Sequence, residues 1–399
     1  MTNPSAPPPP PPPLPLYRWP SFSSLPDEIV VNCLARISKS HYRSLSSVSK
    51  GFHSLLSSPE IYSARSQIGA TEPRLYVCLR FPTAPHRRYF TLTVKTDQTL
   101  ISSNGGENEI KSELSFVRVK HCSSARLNAT TVAVGSEIYQ MGGSSEGKRS
   151  RAVRVLDCRS NTLRRAPGMK VARKRARSRF LDGKIYVFGG CKKREESMNW
   201  VEVFDIKTQT WKGPLPKPPL SGDGKHKVVV LGARIYVITE HDKYAYDPEG
   251  ERWVLPEKGL VDLELIVTQR AGWCVVGNVV YHEYLEKLRW YDVSCGSWVE
   301  VEGLSDLYEK RAYDYGMIQL VSYGRKLVMI WREWTDHVFK GMHGREIRSG
   351  LLDIRIWVAV IRLKKRPTQI WGEVERYNVV ARSSFKSSYK FLTCLSVSL

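Results

Sequence analysis

The first place to look for chemistry is "GGSSEGKR", Gly142 to Arg149, which reads G-x-x-x-x-G-K, the spacing of a loop that cradles phosphates. That loop needs a hydroxyl directly after its lysine to reach a magnesium ion, and Arg149 stands there instead. It also needs a helix N-terminus behind it, whereas the following "RAVRVLD" alternates like a strand. Nucleotide binding is therefore not expected. Two basic runs, "ARKRARSR" (172–179) and "CKKR" (191–194), could meet a polyanion or serve as nuclear-import signals. No aromatic residues interleave with them, as a single-stranded nucleic-acid platform would require. Cysteines at 33, 78, 122, 158, 191, 274, 295 and 394 form no CxxC, and His337 and His343 lack neighbouring Cys or carboxylates at ligand spacing. There is no G-x-S-x-G and no H-E-x-x-H. The expectation is a chain with no catalytic residues, no metal and no cofactor.

Charge says more. The net charge of +22 comes from 61 Lys+Arg against 39 Asp+Glu. Between Arg118 and Arg194 stand 20 basic and 4 acidic residues, a local +16, while 21–72 holds 5 and 4. The basic segment predicts an acidic partner surface or another polyanion. No apolar run reaches 18 residues, and the N-terminus has no basic-then-apolar leader, so an intracellular protein in a reducing compartment, with free cysteines, is expected.

The elements that must position these residues fall into three parts. Residues 1–20 carry ten of the 23 prolines, including the run Pro7 to Pro13, and predict an extended, disordered tail. From Ser24 the pattern becomes helical. Ser24 and Asp27 suit a capping box, and Ile29, Val30, Cys33, Leu34 and Ile37 form one apolar stripe. A second stripe runs through Leu45, Val48, Phe52, Leu55 and Leu56, and Ser58-Pro59 opens a third helix with Ile61, Tyr62 and Ile68 on its face. Three such helices are at the lower limit of independent stability, and their stripes exceed what mutual packing can hide.

Beyond Glu72 the period changes. "GSEIYQMGG", "DGKIYVFGG", "GARIYVITE", "GNVVYHEYL" and "GRKLVMIWR" align Tyr139, Tyr186, Tyr236, Tyr281 and Val328, at intervals of 47, 50, 45 and 47 residues. Each unit continues through an apolar strand ending near Asp, then a turn, then Leu163, Trp211, Trp253 or Trp298. Four short strands per unit describe a propeller blade, with the Trp expected to wedge against the next unit. The final "YKFLTCLSVSL" could pair with an early blade and close the ring.

These residues carry two resemblances. "LPDE", "CLARIS" and "SLSSVSKGFHSLLSSPEIY" resemble an F-box, in which the helices bind the Skp adaptor of a cullin–RING ubiquitin ligase. The resemblance implies adaptor-facing roles for Leu25, Pro26, Ile29, Leu34, Ile37, Leu45, Val48 and Phe52. Ser38 replaces a common Pro and Ser49 a common Cys, neither an apolar anchor. The twin glycines Gly142-Gly143 and Gly189-Gly190, the aromatic-Asp pairs, the Trp and the upstream Arg126 and Arg173, 47 residues apart, resemble kelch repeats. The chain is thus similar to plant-type F-box/kelch-repeat proteins. The implied fold is multidomain α + β: a tail over 1–20, a three-helix F-box over 21–66 and an all-β kelch-type propeller over 74–399. About six blades are expected, five being the alternative count, with the clearest repeats at 125–170, 172–217, 222–257 and 264–303. The implied function is substrate recognition for a Skp–cullin–F-box ligase, in the cytoplasm, the nucleus or both. Arg173, Lys174, Arg175, Arg177 and Arg179 would face an acidic target protein; neither membrane nor nucleic acid is an expected partner. The alternative is a propeller scaffold that joins no ligase, its helices a structural cap.

Overall fold

The computed structural model describes residues 24–80, 87–96, 112–119, 126–145, 147–192, 198–215, 217–220, 226–256, 263, 265–268, 272–311, 318–340, 346–366, 368–383 and 390–399. The proline-rich tail lies outside the described residues. The chain divides into two compact units, Met1–Thr71 and Glu72–Leu399.

Among its described residues the first unit has four helices rather than three. They are α1 (Asp27–Ala35), α2 (Tyr42–Ser46, after a 3-10 turn over Lys39–His41), α3 (Lys50–Ser57) and α4 (Pro59–Gln67). The expected second helix is broken because serine side chains compete for backbone donors. Ser49 Oγ accepts from Phe52 N at 3.1 Å and restarts the chain as α3, and Ser38 Oγ accepts from Ser40 N at 3.3 Å. The two departures from the F-box pattern thus act as helix-start signals. At α1 the N-cap is Pro26, with no side-chain cap, so the expected Ser24–Asp27 box does not form the start. Ser58 and Pro59 do take the N-cap and N1 positions of α4. Val30, Val31, Leu34, Ala35, Tyr42, Leu56, Ile61 and Ala64 form the core.

The second unit is a six-bladed propeller. Its strands are β1 (Pro73–Arg80), β2 (Arg87–Thr96) and β3 (Ser112–Arg118); β4 (Leu127–Val134), β5 (Glu137–Ser145), β6 (Lys148–Arg149), β7 (Val153–Asp157) and β8 (Thr162–Ala166); β9 (Arg177–Leu181), β10 (Lys184–Phe188), β11 (Val201–Asp205) and β12 (Thr210–Leu215). They continue with β13 (Lys227–Leu231), β14 (Arg234–Ile238), β15 (Lys243–Asp247) and β16 (Arg252–Val254); β17 (Trp273–Val276), β18 (Val279–Tyr284), β19 (Lys287–Asp292) and β20 (Ser297–Glu300); β21 (Gln319–Tyr323), β22 (Lys326–Lys340), β23 (Glu346–Lys365), β24 (Ile370–Ser383) and β25 (Lys390–Ser398). Each blade is an antiparallel meander, with the short β6 paired only to β5. The last strand, β25, pairs with β1 and becomes the inner strand of the first blade. The inner strands β25, β4, β9, β13, β17 and β21 neighbour one another in a closed ring. Closure leaves each blade with a short inner edge protected inside the ring.

The repeated tyrosines fall on the second strand of blades two to five. The Trp positions fall on the fourth, each in register with an aromatic of the third: Phe204 with Trp211, Tyr246 with Trp253, Tyr291 with Trp298. Ring centroids in these pairs lie 4.9, 5.2 and 5.2 Å apart. The wedge points backwards, not forwards as expected. Trp211 Nε1 donates to Pro167 O at 2.8 Å, and Trp253 packs on Trp200 at 6.0 Å, both in the preceding blade. Each Trp shares a sheet face with its aromatic partner, and that face is turned to the preceding blade, as the Tyr139–Phe204 and Tyr186–Tyr246 contacts show.

Candidate functional site

On the helical unit, α1 divides its apolar residues between two faces. Val30, Val31, Leu34 and Ala35 are buried, whereas Pro26, Ile29 and Cys33 are exposed at helical spacing on the opposite side. Ile29 is 48% exposed and Val48, before α3, is 67% exposed. Leu25, Ile37, Leu45 and Phe52 are half-buried against the core. Arg65 holds this arrangement. It is buried, and its Nη1 donates to Ala35 O at 3.1 Å, Ile37 O at 2.7 Å and Tyr42 Oη at 3.1 Å. It thereby satisfies carbonyls at the C-terminal end of α1, where a cation is favoured.

On the propeller, basic residues gather in two concavities. One, of about 710 Å³, is lined by Lys148, Arg149, Arg151, Lys170 and Lys192 of blades two and three. Lys170 Nζ donates to Gly213 O at 2.9 Å and Arg149 Nε to Gly190 O at 3.1 Å. The other, of about 560 Å³, is the central channel, lined by residues on or just before the inner strands that include Arg175, Arg177, Arg179, Lys227 and Trp273. Neither lining contains an Asp or Glu among the described residues. Burial, then the charges of Arg177 and Arg179, pushes the Lys227 ammonium down to about 8. Burial, then the charge of Arg177, lowers Arg179 to about 10, and burial lowers Arg177. Arg177 is open to the channel and yet flanked by protein, so solvent contact and partial desolvation coexist there.

Of the glycine-rich stretch, Gly142 to Ser145 end β5, Gly147 lies in a turn and β6 follows, so no phosphate loop with a helix behind it is built. A Cβ on Gly142, at φ +69°, would lie 2.6 Å from Arg173 O, and one on Gly190, at φ +75°, 2.6 Å from Lys174 O. The twin glycines exist to let the chain over 173–174 pass against these turns.

Comparison with known proteins gives the same two modules. An F-box domain model matches residues 22–64, and a model described as "FKB95, Kelch-repeats domain" matches 89–381. A protein of Arabidopsis thaliana named for an F-box and kelch repeats, At4g35120, is 51% identical over 95% of this chain and 94% of its own. F-box/kelch-repeat proteins At5g39560 and At4g19870, from the same organism, are 39% and 38% identical, covering 90% and 95% of this chain and 89% and 93% of theirs. The chain belongs to the F-box/kelch-repeat family.

Within the F-box, one expected adaptor contact needs correction. Leu34 is 1% exposed and lies in the core between α1 and α4, because it shares its stripe with Val30 and Val31. Within the kelch domain, Arg173 must likewise leave the basic patch. It is 0% exposed: Nε donates to Glu202 Oε2 at 2.8 Å, Nη1 to Gly189 O and Trp200 O at 2.7 and 3.0 Å, and Nη2 to Asn199 O at 2.7 Å. Glu202, also buried, accepts from Lys170 N at 2.6 Å and Val171 N at 3.2 Å. The pair ties blade three to the strand entering it. Arg175, Arg177 and Arg179 come together on the channel wall; Lys174 is half-buried and is not among its lining residues. Sequence reasoning missed Arg65, Glu202, Lys227 and Trp273. Only Arg65 left a local trace, a charge set one turn after Ile61 within the buried stripe of α4.

Proposed function

We propose that this F-box/kelch-repeat protein is the substrate-recognition subunit of a Skp–cullin–F-box ubiquitin ligase. One observation carries the reading. The helical unit leaves Pro26, Ile29 and Val48 exposed although it has few apolar residues to spend. Exposed apolar side chains on so small a unit mark a surface meant for another polypeptide. With the half-buried Leu25, Ile37, Leu45 and Phe52, they would form the adaptor-facing surface. The propeller would hold a target protein and raise the effective concentration of its lysines near a ubiquitin-charged enzyme, so no chemistry is required of this chain.

The target is proposed to be acidic where it meets blades two and three. Lys148, Arg149, Arg151, Lys170 and Lys192 of the outer groove, with Lys174 and Arg175, supply the positive field. Capture of a purified Skp-family adaptor by the full chain tests the first part. Substituting Leu25 and Pro26 together is expected to abolish capture while the propeller stays folded; a folded chain that captures no adaptor points to a scaffold outside any ligase. Reversing Lys148, Lys170 and Lys192 tests the second part through target association and its salt dependence, both of which should fall.

A further inference from the structure

We propose that the central channel of the propeller is a binding site for a compact, multiply charged anion of the phosphate or polyphosphate type. Arg177, Arg179 and Lys227 would be its principal ligands and Trp273 its floor. The site goes beyond ligase membership, since it would exist whether or not the chain joins an adaptor.

The cations converge from separate blades. Arg177 and Arg179 stand on β9 and Lys227 on β13, the inner strands of adjacent blades. Ring closure brings them to one cavity of about 560 Å³, within the range of small-molecule sites. Trp273, on the next inner strand, β17, gathers two of them: the Arg179 guanidinium lies 5.4 Å and the Lys227 ammonium 5.9 Å from its ring centroid. The remaining wall is largely polar, with Ala129, Ala176, Val228 and Leu320 between its polar groups. Thr130 and Ser178 share a hydrogen bond of 2.8 Å, Thr131 and Thr393 one of 3.1 Å, and Gln319 adds an amide.

Among the described residues no carboxylate pairs with Arg177, Arg179 or Lys227, in contrast with Arg173 beside its Glu202. Three partly desolvated cations facing one cavity repel one another, and burial first, then the charges of Arg177 and Arg179, pushes the Lys227 ammonium down. That cost is relieved by an anion in the cavity. A single carboxylate from a target would balance one charge of three. A di- or trivalent phosphoryl group balances more of it within the same volume and offers guanidinium groups the paired oxygens they bind best. The wall therefore favours a free polyanion over an acidic side chain reaching in.

Titration calorimetry on the full chain with sodium tripolyphosphate, in about 0.15 M salt to screen surface attraction, reads the site directly. One tripolyphosphate per chain is expected. Arg179→Gln with Lys227→Gln should weaken it at least about tenfold. Lys170→Gln with Lys192→Gln, in the outer groove, should leave the affinity unchanged. Thermal melting separates loss of the site from loss of the fold. Tripolyphosphate should raise the melting temperature of the native chain and not of the channel double variant, which without anion should melt at or above the native temperature. The proposal is overturned by absence of saturable binding to the native chain. It is equally overturned by binding that the channel variant retains, or by a phosphoserine peptide binding one-to-one where tripolyphosphate does not.

Discussion

The F-box and the third blade each bury one arginine, and each uses it to hold backbone carbonyls. Arg65 reaches Ala35 O and Ile37 O; Arg173 reaches Gly189 O, Asn199 O and Trp200 O. They differ in what else they find. Arg65 adds the Tyr42 hydroxyl, whereas Arg173 adds the Glu202 carboxylate, itself fixed by two backbone N–H groups. Beside each staple lie exposed groups of the opposite kind: apolar Pro26, Ile29 and Val48 on the helical unit, cationic Arg175 and Arg177 on the propeller. The lesson is that in both regions the buried arginine is a structural tie, whether the sequence pattern advertises it, as at Arg173, or hides it, as at Arg65. The groups available to partners are its exposed neighbours.

The comparison can be broken most forcefully at Glu202. Glu202→Ala leaves Arg173 buried without its counterion and should cost about 3–5 kcal/mol, seen as a lowered denaturation midpoint of the β-rich transition. If Arg173 were a surface target contact, the change would be within about 0.5 kcal/mol. Arg65→Ala should cost the helical unit about 2–4 kcal/mol, since three oxygens lose a charged donor together. Its signature is loss of helical circular dichroism.

A pH experiment sharpens the picture of the propeller core. His282 is 2% exposed, its Nε2 has no hydrogen-bond partner among the described residues, and burial, then the charges of Lys227 and Arg289, pushes it down to about 4. An unfolded histidine titrates near 6.5, so between about pH 6.5 and 4 the unfolded chain takes up a proton that the folded chain refuses. Stability should be unaffected above that window and fall by at most about 3 kcal/mol as pH drops through it. His282→Phe, which keeps a ring between Tyr284 and Trp298, should flatten the dependence in equilibrium unfolding. The smallest stability effect is expected at Ile29→Asp and Val48→Asp, within about 0.5 kcal/mol, because both side chains already face water.

Much of the fold was legible because propeller blades repeat. The intervals of Tyr139, Tyr186, Tyr236 and Tyr281 gave the blades, and the aromatic-Asp and Trp positions gave their third and fourth strands. Even the closing role of the final strand could be read from an apolar segment left over after the sixth unit. The direction of the Trp wedge could not, because period alone does not say which neighbour a sheet face meets. Leu34 was misplaced because, on a nine-residue helix, core and partner stripes differ by one position. The channel was invisible for a different reason. Arg177, Lys227 and Trp273 are separated by about a blade each and meet only when the ring closes, so no local window contains them.

The central claim is that the exposed apolar face of the helical unit is covered by a second polypeptide. Hydrogen–deuterium exchange of the full chain, with and without a purified Skp-family adaptor, tests it most directly. Amides of α1 and α3 should gain protection on addition of adaptor, and Ile29→Asp with Val48→Asp should remove that gain while leaving blade protection unchanged. Identical exchange in both conditions, with the helices folded throughout, would contradict the account.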